Sequence, residues 1–281
     1  MSYYAHTALA EDNSREVEEQ HQSRLYTLRP HAIQSAFNLS RARFNIVPAG
    51  RRSGKTEIAK RKLVRTSVSP YRLGGSRFPD PKYFCGAPTR DQAKRIYWND
   101  IKLMSKELGL WRKQPSESQL ICFLWPNVEI HVIGLDKPER IEGHPWDGGI
   151  LDEYGNMKKE AWPENVRPAL ADRQGWCDLI GVPEGRNHYY DEWLKAKADD
   201  TGYRMPYHWL SSDIMLPSEI EEAKRDLDEL TFQQEFEGSF VNFTGMVYYN
   251  FREALHYSKC RNEYNPRDPI IFTFDFNVAP G

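Results

Sequence analysis

Phe44-Asn45-Ile46-Val47-Pro48-Ala49-Gly50-Arg51-Arg52-Ser53-Gly54-Lys55-Thr56 is the stretch on which the fold turns. Phe44-Asn45-Ile46-Val47 is an apolar run of strand length, the segment after it is small and basic, and a helix is expected from about Lys55 to Thr66. Strand, glycine-bearing loop and helix in that order make a phosphate-binding turn. Glycines let backbone N–H groups curl around phosphate oxygens, and the helix N-terminus adds partial positive charge. Lys55 reaches the β and γ phosphates, and the Thr56 hydroxyl can ligate magnesium. Ala49 opens the eight-residue frame where Gly is usual, and a small residue still suits the turn. The candidate nucleotide-binding residues here are Gly50, Arg52, Ser53, Gly54, Lys55 and Thr56. The plainer alternative, a tight turn capped by basic residues, leaves the clustered charge unexplained.

Working outward, similar short apolar runs recur at 83–86, 149–151, 178–182, 208–210 and 270–274, most of them separated by helix-length segments. Such alternation implies parallel crossover units with helices on both sheet faces. Residues 120–125 and 128–133 flank Pro126-Asn127, a hairpin that adds an antiparallel edge. Upstream, 30–39 reads as a helix with Ile33 and Phe37 on one face together with Ala36. After about Ser211 the chain turns helical and acidic until Phe240, which suggests a small appended subdomain. Phe232, Phe236 and Phe240 recur every four residues, as on a packed helix face. Residues 1–24 are polar and read as a peripheral arm.

A second motif, Gly148-Gly149-Ile150-Leu151-Asp152-Glu153, ends a short buried strand in an acidic pair. This strand is expected beside the first, so that Asp152 can hold magnesium through water. Glu153 then faces the γ-phosphate and orients or deprotonates the attacking water. Surface acids at a strand end are the bland alternative. Hydrolysis also needs positive charge at the transition state, which Arg51 or Arg52 can supply within the loop. Arg140, in Glu139-Arg140-Ile141-Glu142-Gly143, is a further candidate that can act on a neighbouring subunit, or else forms a surface ion pair with Glu139 or Glu142.

Composition narrows the class. The 281 residues are 40% hydrophobic, 13% aromatic and 28% charged, which excludes a disordered, collagenous or disulfide-built chain. No run reaches the ~18 apolar residues of a membrane span, and no basic-then-apolar leader opens the chain. Cys85, Cys122, Cys177 and Cys260 stand far apart, a pattern of reduced cysteines and not of a zinc site. The net charge of -2 leaves no bulk attraction to DNA, so any nucleic-acid contact must be local. Residues 41–65 carry nine basic side chains against the single acid Glu57. Beyond the phosphate loop, Arg41, Arg43, Lys60, Arg61, Lys62 and Arg65 are left as duplex contacts or as a solvated helix face.

With these residues in hand, the chain resembles the ATPase portion of the large terminase subunit of tailed bacteriophages, from about Leu25 to its last residue. Leu28-Arg29-Pro30-His31-Ala32-Ile33-Gln34 is similar to the family's adenine-recognition segment, with Gln34 as base reader. Arg51-Arg52-Ser53-Gly54-Lys55-Thr56 matches its variant phosphate loop, in which Arg51 senses the γ-phosphate, and Asp152-Glu153 match its metal and catalytic acids. Tyr83-Phe84-Cys85-Gly86-Ala87-Pro88-Thr89-Arg90-Asp91-Gln92-Ala93 is similar to the strand and loop that follow. Leu179-Ile180-Gly181-Val182-Pro183-Glu184-Gly185-Arg186-Asn187 resembles the coupling motif, with Val182 where Thr or Ser is usual. Phe232-Gln233-Gln234-Glu235-Phe236-Glu237-Gly238-Ser239-Phe240 resembles the lid segment. Ile270-Ile271-Phe272-Thr273-Phe274-Asp275-Phe276-Asn277 resembles the first strand of an RNase H-like nuclease domain, in which Asp275 would bind metal.

The resemblance implies an α/β, P-loop (RecA/ASCE-like), mostly parallel sheet flanked by helices, with a small helical lid. The expected divisions are an arm at 1–24, the ATPase core at 25–210, the lid at 211–262, and a linker with the first nuclease strand at 263–281. The implied ligands are ATP and Mg2+. The implied partners are double-stranded DNA, portal protein, the small terminase subunit and further copies in a ring, a pentamer by resemblance, in the host cell cytoplasm. A chain ending at Gly281 is expected to be a natural or engineered fragment without nuclease activity, since one carboxylate cannot hold two metals. A helicase-like DNA-dependent ATPase and a non-hydrolysing nucleotide-binding scaffold are the competing functions.

Overall fold

Eight strands form one sheet in the order β3-β4-β5-β2-β6-β7-β1-β8. In chain order they are β1 (Phe44–Pro48), β2 (Lys82–Ala87), β3 (Trp111–Ser116), β4 (Ile121–Leu124), β5 (Val128–Gly134), β6 (Gly148–Leu151), β7 (Trp176–Gly181) and β8 (Arg204–Pro206). Only the two pairings made by β4 are antiparallel, as the Pro126-Asn127 hairpin requires. This computed structural model describes residues 30–71 and 75–241, all within one compact unit. The arm at 1–24, Cys260, the run at 270–274 and Asp275 lie outside the described residues.

The apolar runs are buried on both sides because alternate side chains feed two cores. Val47, Cys85, Ile150 and Ile180 face helices α1 (Ala32–Leu39), α2 (Lys55–Val68) and α4 (Asn99–Glu107). Their neighbours Ile46, Phe84, Leu151 and Leu179 face Trp162 and helix α5 (His188–Lys197). Short helix α3 (Arg90–Ala93) leads into α4 through a π-helical turn, Lys94–Trp98. Two further helices, α6 (Pro217–Asp226) and α7 (Glu229–Glu235), form the acidic segment.

Several sequence expectations change. Strand β6 does not lie beside β1: β7 stands between them and pairs in parallel with both. The two motif strands are therefore two inter-strand steps apart, roughly 10 Å. The expected strand at 208–210 is β8 at Arg204–Pro206 instead, with Trp209 adding one isolated bridge to Ala49. Strand β3 went unseen because Trp111-Arg112-Lys113-Gln114-Pro115-Ser116 has no apolar alternation. In α1, Ile33 is exposed, as is Ala36. The buried face is Gln34 with Phe37, because Phe37 packs on Tyr207 and Trp209. Phe232 and Phe236 stack at 5.2 Å across the end of α7. Phe240 lies past the helix and packs on Tyr189 and Tyr190.

The basic block is divided: Lys55, Lys60 and Lys62 are buried, Arg43 and Arg61 partly so, and Arg41, Arg51, Arg52 and Arg65 are exposed. Lys62 is buried and donates to Asp178 at 2.8 Å, beneath the rings of Phe37 and Trp176. Lys60 is buried between Glu57 and Asp100. Arg43 donates to the carbonyls of Gly175 and Leu170 and to the Tyr203 hydroxyl. Arg61 pairs with Glu57, and Arg65 donates to the Asn38 carbonyl. Arg41 is exposed but likewise has a partner. Lys60 and Lys62 are thus neither duplex contacts nor a solvated face; their charges tie α2 to the sheet and to α4. Burial pushes the Lys62 pKa down and that of Asp178 up, each held in check by the other.

Removing one partner of a buried ion pair strands the other. Lys62→Met, which leaves Asp178 only Asn45 at 2.6 Å, is expected to destabilise the fold by about 3 kcal/mol in urea unfolding. The double variant Lys62→Met/Asp178→Leu should lose much less.

Candidate active site

The C-terminal ends of β1, β6 and β7 open on one edge of the sheet, where open α/β sheets place their ligands. After β1 the chain makes a tight turn and enters α2 through Gly54, whose φ of 76° is a left-handed conformation suited to glycine. At Gly50 a Cβ would sit 2.3 Å from both the Phe236 carbonyl and the Ser211 hydroxyl, so only glycine fits. The Ser53 carbonyl accepts two hydrogen bonds at 2.9 Å, from Gln34 Nε2 and from Trp209 Nε1. These hold the loop from below. Ser53 Oγ and Gln34 Oε1 are buried without a hydrogen-bond partner among the described residues.

Across the crevice, Thr56 Oγ1 donates to Asp152 Oδ2 at 2.9 Å. The Tyr97 hydroxyl donates to the same oxygen at 2.9 Å, and the Glu153 N–H donates to Asp152 Oδ1 at 2.9 Å. Asp152 is 1% exposed and Lys55 6%, so the loop's ammonium and the carboxylate are both largely shielded from water. A hydroxyl and a carboxylate side by side are hard oxygen donors, the set that magnesium takes. The residues present fit that ion, which Thr56 and Asp152 could hold.

Glu153 is half-buried and adopts a left-handed backbone, φ 52° and ψ 44°. A non-glycine residue held there costs about 1 kcal/mol or more and occurs often at functional sites. Burial raises its pKa, Lys55 draws it down and the Asp152 charge pushes it up again. Arg51 and a hydrogen bond from the Val182 main chain lower it further. The net upward direction suits a proton acceptor.

Arg51 does not face the crevice alone. Its Nε donates to Glu235 at the end of α7, and its main-chain N–H to the Glu235 carbonyl. Ser211 Oγ donates to the Arg51 carbonyl at 2.6 Å. One residue earlier in α7, Gln234 Oε1 accepts from the Gly185 N–H at 3.1 Å. Helix α7 therefore touches both the phosphate loop and the loop after β7. Arg52 is exposed, with φ 57°.

Arg140 is not brought to this cluster. It follows β5, which stands two strand positions from β6 and four from β1. Its ion-pair partner is Asp136 at 3.2 Å, not Glu139 or Glu142. Tyr97, Trp209, Ser211, Gln234 and Glu235 are contributors that no motif assigned individually. Trp209 and the α7 pair lay inside quoted segments, whereas Tyr97 carried no sequence signal.

The chain has relatives among known proteins. The sequence profile described as terminase large subunit, T4likevirus-type, N-terminal, matches residues 46–258. The large terminase subunit of Thermus phage G20c is 25% identical over 258 residues, covering 78% of this chain and 50% of that protein. The chain thus spans about half the length of that curated relative. The ATPase domain of the Thermus phage P74-26 large terminase superposes with a TM-score of 0.62 at 24% identity, over 78% of this chain and 97% of that one. The large terminase of another thermophilic bacteriophage, in complex with ADP, gives 0.60 at 17% identity, over 83% and 56% of the two chains. Both share the mostly parallel sheet flanked by helices.

The raised Glu153 pKa fixes the sign of a pH effect. A carboxyl whose folded pKa lies above its unfolded value contributes stability below the unfolded pKa, and that stability is lost as pH rises through the folded one. Glu153→Gln should therefore melt higher than the parent near neutral pH. The gap should close as pH falls through the carboxylate range, as thermal melts across pH would show.

Proposed function

Because the chain belongs to the terminase large subunits of the T4likevirus type, in their N-terminal part, we propose that it is the ATP-hydrolysing module of a viral packaging motor, driving double-stranded DNA into a prohead. The observation that carries this is the direct hydrogen bond between Thr56 and Asp152 beside a buried Lys55. A phosphate loop and an acidic strand end that share one polar contact make a triphosphate and metal site, not two unrelated surface features.

In this function the N–H groups of Arg52 and Gly54 and the start of α2 receive the phosphates, with Lys55 at the β and γ positions; the N–H groups of Gly50 and Ser53 donate instead to the Trp209 and Gly50 carbonyls and shape the loop. Thr56 and Asp152 would hold magnesium, which when bound neutralises charge on the phosphate oxygens. Glu153 accepts the proton of the attacking water, its basicity raised by burial. Gln34, already bonded to the loop through Ser53, reads the base with its unpartnered Oε1. Arg51 acts within the same chain once it leaves Glu235 for the γ-phosphate. Arg140, paired with Asp136 and with no group of its own chain's site, acts on a neighbouring subunit's nucleotide. The thermophilic bacteriophage relative with bound ADP supports a nucleotide ligand.

Translocation then follows from α7. Phosphate arrival at Arg51 competes with Glu235, so occupancy changes what holds α7 against the loop, and the helical segment moves as a lid. The macromolecular partners we assign are duplex DNA, portal protein, the small terminase subunit and a ring of identical chains in the host cytoplasm.

Steady-state phosphate release tests the assignment. Lys55→Ala and Glu153→Gln should each lose about 100-fold or more in turnover. Arg51→Ala should lose on the order of 1,000-fold. Glu153→Gln should still bind ATP. Parent-like turnover in either of the first two would sink the hydrolysis assignment, and stoichiometric ATP binding without product release by the parent would favour a nucleotide-binding scaffold.

A further inference from the structure

Tyr97 comes from neither motif strand. It lies in the π-helical turn Lys94–Trp98 that joins α3 to α4 in the crossover after β2, and π turns are frequent beside functional sites. Its ring is fully buried, and its hydroxyl reaches Asp152 Oδ2 at 2.9 Å, the oxygen that Thr56 also meets. From α2, one helical turn beyond Thr56, the Lys60 ammonium lies 5.8 Å from the ring centroid, itself held by Glu57 and Asp100. The ring is therefore fixed on one side by packing and on the other by a buried cation.

We propose that Tyr97 is a positioning residue for the metal, fixing the rotation of the Asp152 carboxylate so that its oxygens present one geometry to the cation shared with Thr56. This rests on the metal reading of Thr56 and Asp152 given above. A carboxylate turns freely about its last bond unless its lone pairs are engaged. Here Oδ1 is engaged by the Glu153 N–H, and Oδ2 by two hydroxyls of different kinds. Thr56 is itself a candidate ligand, whose oxygen would serve the cation through a lone pair while its proton stays on Oδ2. The Tyr97 hydroxyl has no such second duty, and its contact is with Oδ2. A phenol carries its proton at neutral pH, and toward a carboxylate oxygen it can only donate, so Tyr97 is the donor in this contact. Outer partners of this kind set metal affinity by about 10- to 100-fold.

The test uses the full chain and reads binding, not turnover. A fluorescent ATP analogue is titrated in EDTA, and then at increasing Mg2+, for the parent, Tyr97→Phe and Tyr97→His. Tyr97→Phe keeps the ring and removes only the donor. Its half-saturating Mg2+ concentration should rise about tenfold or more, with analogue affinity in EDTA unchanged. Tyr97→His, whose ring N–H can stand in for the phenol, should move that concentration back toward the parent value, and it carries the same test if the Phe variant does not fold. An unchanged or lower Mg2+ midpoint in Tyr97→Phe overturns the proposal. So does an equal loss in EDTA and in Mg2+, or a His variant as impaired as the Phe variant. Parent binding indifferent to Mg2+ would instead remove the metal reading itself, and this inference with it.

Discussion

The hydrogen bond between the Thr56 hydroxyl and the Asp152 carboxylate is the constraint on which the site depends. It joins the start of α2 to the end of β6 across an intervening strand, so it forms only if three strand ends lie level along one edge. The parallel register of β1, β7 and β6 supplies that level: Val47 stands opposite Ile180, and Leu179 opposite Leu151. At the end of β7, Gly181 lets the Glu153 backbone come close, since a Cβ there would sit 3.3 Å from Glu153 Cα. Had β6 lain directly beside β1, the same residues would crowd a gap of one strand spacing, about 5 Å. The second spacing makes room for a phosphate.

Near the phosphate loop, some charge is used inside the fold. Of the basic residues around the phosphate loop, Lys60 and Lys62 are buried in ion pairs, and Arg43 donates to the carbonyls of Gly175 and Leu170. Such pairs contribute less to stability than their Coulomb attraction implies, because both ions lose water. What they contribute is definition. Lys62 with Asp178 and Asn45 holds α2 over β1 and β7 in one alignment, and Lys60 holds it against the helix that carries Tyr97 and Asp100. The phosphate loop is thereby anchored by the Ser53 carbonyl, which accepts from Gln34 and Trp209, and by the buried lysines of its helix.

The acidic segment has the opposite character. Helices α6 and α7 bury little beyond Ile220 and Phe232, and α7 attaches to the core through Gln234, Glu235 and the chain around Gly238. A Cβ at Gly238 would meet the Ala49 backbone at 2.8 Å. These contacts are polar or backbone-to-backbone, and they end on the two loops that border the crevice. The substitution of Val182 for the usual hydroxyl residue takes on a physical meaning here, because the group that reaches Glu153 is the Val182 main chain, which any residue but proline can supply.

How much was legible follows from how far each feature reaches along the chain. The phosphate loop, the acidic pair, the hairpin and the two-faced parallel sheet are local patterns of glycine, charge and alternation, and these were written in Phe44 to Thr56, Gly148 to Glu153 and the apolar runs. The sequence by itself therefore determined the class of fold and the kind of chemistry. Strand order, the inward turn of Gln34 with Phe37, the burial of Lys60 and Lys62, the clasp of Glu235 on Arg51 and the place of Tyr97 were decided only in three dimensions. Each joins residues tens of positions apart, or turns on which face of a helix meets a neighbour. Pairings of that kind depend on the packing of the whole core, and no stretch of sequence carries them alone.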